Sequence, residues 1–174
     1  MSSNPAGSIT ALNEQGKDRF TAAWNQLTLV LSFFARIDTK LSVVLGLDLG
    51  MLTLLATKAP SLEKFTAFQT AATSICLVPI ALSLYHLYHG SFPHLKGGTN
   101  STVYFRTIAG MTEADFVSGY RGMTLAAIAD DVLEQAWRNS KILTSKFDSL
   151  SRGYRWFSIA VVPWLAALAS WSMK

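Results

Sequence analysis

The chain carries no Asp, Glu, Lys or Arg from position 65 to position 88, a run of 24 residues, and this feature narrows the available folds more than any other. A helix of about 20 apolar residues crosses the ~30 Å hydrocarbon layer of a bilayer. Water is absent there, so a lone segment can satisfy its backbone N–H and C=O groups only as a helix. The run ends in Tyr85, His86 and Tyr88, followed by His89, side chains suited to the headgroup layer. Two further stretches read the same way at smaller scale: residues 41–58, interrupted by Asp48, and residues 156–173, which hold Trp156, Trp164 and Trp171. The outer two of these tryptophans fall where the two interfaces are expected. Pro79 and Pro163 sit inside the second and third spans, where packed neighbours can satisfy the freed carbonyls.

Basic residues set the expected orientation, because loops rich in Lys and Arg stay in the cytosol. Residues 1–40 hold Lys17, Arg19, Arg36 and Lys40, and residues 89–155 hold a further eight. Only Lys58, Lys64 and Lys174 fall on the opposite side. The N-terminus and residues 89–155 are therefore expected in the cytosol. Only 15% of the chain is charged, against about a quarter in soluble domains. The polar first seven residues lack the apolar stretch of a cleaved signal and are expected to remain as a frayed end. The lone Cys76 offers no internal disulfide and no cysteine zinc site, only a small apolar side chain.

Outside the spans the apolar spacing is helical. Phe20, Trp24, Leu27, Leu31 and Phe34 recur at three and four residues, one face of a helix starting near Ser8 as its cap. Leu125, Ile128, Val132, Ala136, Leu143, Phe147, Leu150 and Tyr154 continue such a face up to the third span. A single helix from Thr124 to Trp171 would be roughly 70 Å long, about twice what the bilayer core requires, so its surplus is expected in the cytosol. Residues 89–123 are broken by glycines; Thr112 and Asp115 read as the cap of a short helix, and residues 101–105 as a short extended piece. The expected fold is an all-α membrane protein with three transmembrane helices, long cytosolic helical extensions and a small cytosolic helical domain. It divides into an N-terminal amphipathic helix (1–40), spans at 41–58, 65–88 and 156–173, and a cytosolic sensing segment (89–155).

Asp48 lies in the middle of the first span, where an ionised carboxylate costs at least ~2.5 kcal/mol. It either lines a subunit contact or wet path, or hydrogen-bonds a neighbouring helix. Gly46 and Gly50 bracket it in a small-xxx-small spacing that would let such a helix come close. Asp38 and Lys40, with Arg36, mark the edge where the first span meets the headgroups. His86, His89 and His94 formally resemble a metal spacing, but no cysteine or well-placed carboxylate accompanies them, and neither metal nor cofactor is expected. The H-E-x-x-H, G-x-S-x-G and glycine-rich phosphate motifs are absent, and adjacent Asp130 and Asp131 point in different directions from a helix. No catalytic residue is assigned, and the chain is not expected to be an enzyme. What remains is a cationic and aromatic set: His94, Lys96, Tyr104, Phe105, Arg106, Tyr120, Arg121, Arg138, Lys141 and Lys146. Arg and Lys neutralise a phosphate while an aromatic ring stacks on a base. The same set suits the anionic inner leaflet.

Three stretches of the chain, FFARIDTKLSVVLGLDLGMLTLLA, SFPHLKGGTNSTVYFRTIAGMTEADFVSGY and QAWRNSKILTSKFDSLSRGYRWF, together resemble the transmembrane effectors of Pycsar anti-phage systems. The likeness covers roughly residues 34–172. Its more specific features are the Tyr104-Phe105 pair before Ile108, the D-x-K of Asp38 and Lys40, and the series Gln135, Asn139, Ser140, Ile142 and Lys146. Arg106 departs from the pattern, standing where a small residue such as Gly is expected. The resemblance implies that the cytosolic part senses a cyclic nucleotide, cyclic CMP or cyclic UMP, made by a cyclase after infection. It further implies that the membrane helices then disrupt the inner membrane and arrest or kill the cell. On this reading Lys96, Tyr104, Phe105, Arg106, Arg138, Asn139 and Lys146 bind the ligand, while Asp38, Lys40 and Asp48 couple it to the membrane. The implied partners are the cyclic nucleotide, membrane lipid and further copies of the chain, with no nucleic acid polymer. The alternative is a membrane-anchored interaction protein whose helical part docks a cytosolic partner.

Overall fold

A computed structural model describes residues 5–61, 65–92, 98 and 100–172, with side chains from Asn13 onward. Its elements are α1 (Pro5–Lys58), α2 (Ala67–Ser91), α3 (Phe105–Ala109), α4 (Glu113–Gly122) and α5 (Leu125–Ser172). There is no strand among the described residues, so the all-α expectation holds. Helix α1 begins before Ser8, which lies inside it and is not its cap. Residues 101–105 are not extended either: Ser101 Oγ accepts from the backbone N–H groups of Val103 and Tyr104, at 3.2 and 3.0 Å, and turns the chain into α3. Thr112 caps α4 as its spacing predicts, accepting from the Asp115 N–H and donating to the Asp115 carboxylate. Thr66 and Gln69 form a capping box at the start of α2. Helices α2 and α5 run unbroken through Pro79 and Pro163.

The chain divides into two compact units, one of Met1–Phe34 with His94–Leu143 and one of Ala35–Pro93 with Thr144–Lys174. Helices α1 and α5 contribute to both. In the first unit Ala23 and Leu27 of α1 pack against Ile128, Ala129, Val132 and Ala136 of α5, with Phe20, Val103 and Met123 around them. In the second, Met51 and Leu55 meet Ala72, Cys76 and Ile80 of α2 and Ala160, Ala167 and Trp171 of α5.

The buried residues of α1 recur at alternating steps of four and three: Ala23, Leu27, Val30, then Ile37, Leu41, Val44, Asp48, Met51 and Leu55. This is a heptad-like period near 3.5, the seam of coiled-coil packing. Helix α5 keeps the same period with Ala129, Val132, Ala136, Lys146, Gly153, Ala160, Ala167 and Trp171. The seam is thus not the face drawn by the largest apolar residues. Trp24, Leu31, Phe147 and Tyr154, all expected inside, are exposed, because small and polar side chains occupy the positions that let the helices close.

The second unit buries large apolar side chains such as Leu41, Ile80 and Leu87, yet exposes others. Phe68, Ile75 and Val162 are 67%, 61% and 72% exposed, whereas Asp48 and Ser83 are fully buried. Helices in lipid are arranged this way, since the tails outside are as apolar as leucine and polar groups must find partners within. Among the described residues two helices, Asn13–Lys58 within α1 and Ala67–Ser91, contain stretches long and apolar enough to cross a membrane. That is two, where three spans were expected. Only residues 156–172 of α5 follow Arg155, and three tryptophans dilute their hydropathy. Trp171 sits in the unit's core, edge-on to Phe65 at 6.0 Å.

Glycine has a different role from the one its spacing suggested. Gly46 and Gly50 face open space, with no heavy atom within 4 Å of a Cβ placed on either. The close approaches are at Gly153, where a Cβ would stand 2.8 Å from Leu87 Cδ2, and at Gly90, where it would stand 2.8 Å from Ser149 Cβ.

Candidate functional site: a polar cluster on helix α5

In the first unit the polar side chains gather where residues 98 and 100–107 pack on α5. Asp131 accepts from Ser101 Oγ and the Thr102 backbone N–H, both at 2.7 Å, and from Thr102 Oγ1 at 2.9 Å. Ser101 in turn receives the N–H groups of Val103 and Tyr104, so one carboxylate holds the whole entry to α3. Asp131→Ala removes three acceptor contacts to a charged group; a loss of about 3 kcal/mol is expected, with Asp131→Asn retaining part of it. Denaturant unfolding followed by tryptophan fluorescence measures both.

One turn along α5 lies Gln135, more than nine-tenths buried, its Nε2 3.5 Å from Asn139 Oδ1. Arg138 follows, its Nη2 donating to Glu134 Oε2 at 2.9 Å. The guanidinium lies so close to Gly98 that a Cβ there would push it aside. The Gly98 carbonyl accepts from Thr107 Oγ1 at 2.8 Å, tying α3 to the same place. Gln135 Oε1 and Arg138 Nη1 are buried with no hydrogen-bond partner among the described residues. A buried polar atom left unmet costs roughly 1–3 kcal/mol. An acceptor and a cationic donor, one turn apart and both unpaired, are groups that a ligand presenting a donor beside an anionic oxygen could meet.

Of the residues expected to bind ligand, Tyr104, Phe105, Arg138 and Asn139 belong to this group. Tyr104 is buried at the N-terminus of α3, its ring edge-on to Phe105 at 5.0 Å; Phe105 is exposed and free to stack. Arg106 follows on the exposed side of α3. Lys96 and His94 lie outside the described residues. Lys146 does not join the group: it belongs to the second unit, where its Nζ donates to Asp38 Oδ1 at 2.6 Å. Ser101, Thr102, Asp131 and Gln135 were missing from the expected site. Ser101-Thr102 ahead of an aromatic pair is a turn-forming signal, and Asp131 was set aside only because Asp130 adjoins it.

The Asp38–Lys146 pair joins α1 to α5 from opposite environments, the lysine side chain 10% exposed and the aspartate 53%. Asp38→Ala strands a nearly buried ammonium and is expected to cost about 2 kcal/mol, between the values for exposed and buried pairs. Adding Lys146→Met restores most of it in a double-mutant cycle read by thermal unfolding in detergent. Further along, Ser83 Oγ lies 2.6 Å from Asp48 Oδ2 and 3.0 Å from the Gly153 carbonyl. The bond to a neighbouring helix is one of the two roles open to Asp48, and its other oxygen, Oδ1, is buried with no partner among the described residues. Lys40 lines a groove between α1 and α5. His86 and His89 lie along α2, where His89 Nδ1 is 2.9 Å from the Tyr85 carbonyl. No three His, Cys, Asp or Glu side chains come together among the described residues.

Comparison with known proteins gives a match to the Pycsar effector protein domain over residues 22–172. No curated protein and no solved structure matches the chain. The matched region takes in the polar cluster on α5, the Asp38–Lys146 pair and every helix from the middle of α1 to the end of α5, and the chain therefore belongs to the Pycsar effector family.

Proposed function

We propose that the first unit binds a cyclic nucleotide, cyclic CMP or cyclic UMP, at the Gln135–Arg138 cluster, and that binding drives the second unit to disrupt the membrane that holds it. A Pycsar effector is a membrane effector of an anti-phage system, which makes loss of membrane integrity the fitting output. The observation that carries the reading is the pair of buried, unmet groups, Gln135 Oε1 and Arg138 Nη1. Arg138 takes a phosphate oxygen, Gln135 takes a donor on the ligand, and exposed Phe105 offers a stacking face. Both α1 and α5 belong to both units, so a change in their pairing around the ligand is transmitted along continuous helices. The ligand must bind the active pairing more tightly than the resting one, since equal affinity for both would shift nothing.

The reading is completed by a cytosolic N-terminus, a third crossing by the C-terminal part of α5, and assembly of several copies in the membrane of the infected cell. The test is dye release from liposomes carrying the purified chain. Cyclic CMP or cyclic UMP is expected to trigger release, and the non-cyclic monophosphates are not. Silence with both cyclic nucleotides, from protein shown to be folded and inserted, removes the proposal.

A further inference from the structure

The second unit carries a groove of ≈ 540 Å³ between α1 and α5, walled by Val43, Val44, Phe147, Leu150 and Tyr154, with Lys40 on its lining. We propose that this groove binds an anionic phospholipid, its phosphate on Lys40 and an acyl chain along the apolar wall.

The first argument is its level in the helix bundle. Leu41 and Ser149 both lie against Gly90, and Leu87 lies against Gly153, so residues 85–92 of α2 run beside residues 39–46 of α1 and 149–154 of α5. That part of α2 holds Tyr85, Tyr88 and Phe92, all exposed, the aromatic belt of a headgroup layer. The groove therefore opens at the depth where phosphates sit, below which its apolar wall leads towards the tails. The second argument is charge. Asp38, the acid nearest to Lys40 in sequence, is engaged by Lys146, and no ion pair of Lys40 is formed among the described residues. Lys40 is the one charged side chain on the groove's lining; Arg152 adjoins Ser151 in sequence, as Asp148 adjoins Phe147. An ammonium over an otherwise apolar slot fits a lipid carrying net negative charge better than a zwitterionic one.

This inference rests on the helices being embedded in a bilayer, which the experiment checks on its own. The full-length chain is reconstituted in nanodiscs made from an equal mixture of phosphatidylcholine and phosphatidylglycerol, then released into detergent, and the retained lipids are counted by native mass spectrometry. Wild-type protein is expected to keep phosphatidylglycerol over phosphatidylcholine by about fivefold, the worth of one lysine near an anionic surface. Lys40→Gln removes that preference while leaving some lipid bound. Val43→Trp, at an exposed wall position that tolerates bulk, excludes both lipids. Lys17→Gln, at an exposed position in the first unit, changes nothing. Equal retention of the two lipids by wild type, or an undiminished preference in Lys40→Gln, overturns the proposal and leaves the membrane reading intact. Crosslinking of Val43→Cys to a second copy also overturns it, by showing a different occupant. A chain that fails to enter nanodiscs and stays soluble without detergent overturns both.

Discussion

Arg138→Gln is expected to raise the cyclic nucleotide concentration for half-maximal dye release on the order of thirtyfold, because a charge-assisted hydrogen bond to phosphate contributes about 2 kcal/mol. The guanidinium already spends one amino group on Glu134 and keeps the other, buried, without a partner among the described residues. Glutamine cannot supply that charge, and its shorter amide does not reach as far. Gly98→Ala is the sharper companion. It leaves Arg138 in the sequence but pushes the guanidinium from its seat, and since the displaced atoms are the far end of a flexible side chain, the fold is expected to survive. Binding measured by calorimetry should weaken several-fold in Gly98→Ala with little change in unfolding temperature. If Arg138→Gln responds to cyclic CMP and cyclic UMP as wild type does, the ligand site lies elsewhere.

Gly153→Val is expected to cost about 3 kcal/mol, the upper range for overpacking a closed contact. A Cβ at this position already stands 2.8 Å from Leu87 Cδ2 and 2.9 Å from Leu87 Cγ, and valine adds two methyl groups to that collision. The seat of Ser83 is affected as well, because its hydroxyl lies between Asp48 and the Gly153 carbonyl. Separating α2 from α5 there leaves a buried carboxyl with less to bond to. Gly46→Ala and Gly50→Ala are the controls, since both positions face open space; alanine there should be neutral or slightly stabilising through its better helix propensity. Thermal unfolding in detergent ranks the three. A loss at Gly46 or Gly50 as large as that at Gly153 would mean that α1 is approached by a neighbour on its other side.

The two expectations concern different kinds of position, and the sequence treats them differently. Arg138 and Asn139 could be picked out by residue type, and so could Tyr104 and Phe105, because a cation and an aromatic ring announce what they can bind. Gln135 and Asp131 could not. Their importance comes from burial and from what lies opposite them, and neither is written in local spacing. Lys146 differs again: its charge suggested a ligand contact, and the acid it pairs with, Asp38, is 108 residues away in sequence.

By itself the sequence determined that this chain is helical and membrane-bound in type. An uncharged run of 24 residues, apolar periodicity on both sides of it and a Thr-x-x-Asp cap each act through neighbouring backbone, and each needs no knowledge of distant residues. Only the tertiary structure decided which helix faces turn inward. In water a large apolar residue is driven to the core, so its spacing reveals the buried face; beside lipid that drive vanishes, and leucines face outward as readily as inward. Closeness of approach takes over. Gly153, Ala160 and Ala167 line the seam while Phe147, Tyr154 and Val162 do not, because small side chains let helices touch and polar ones such as Asp48 must find a partner inside.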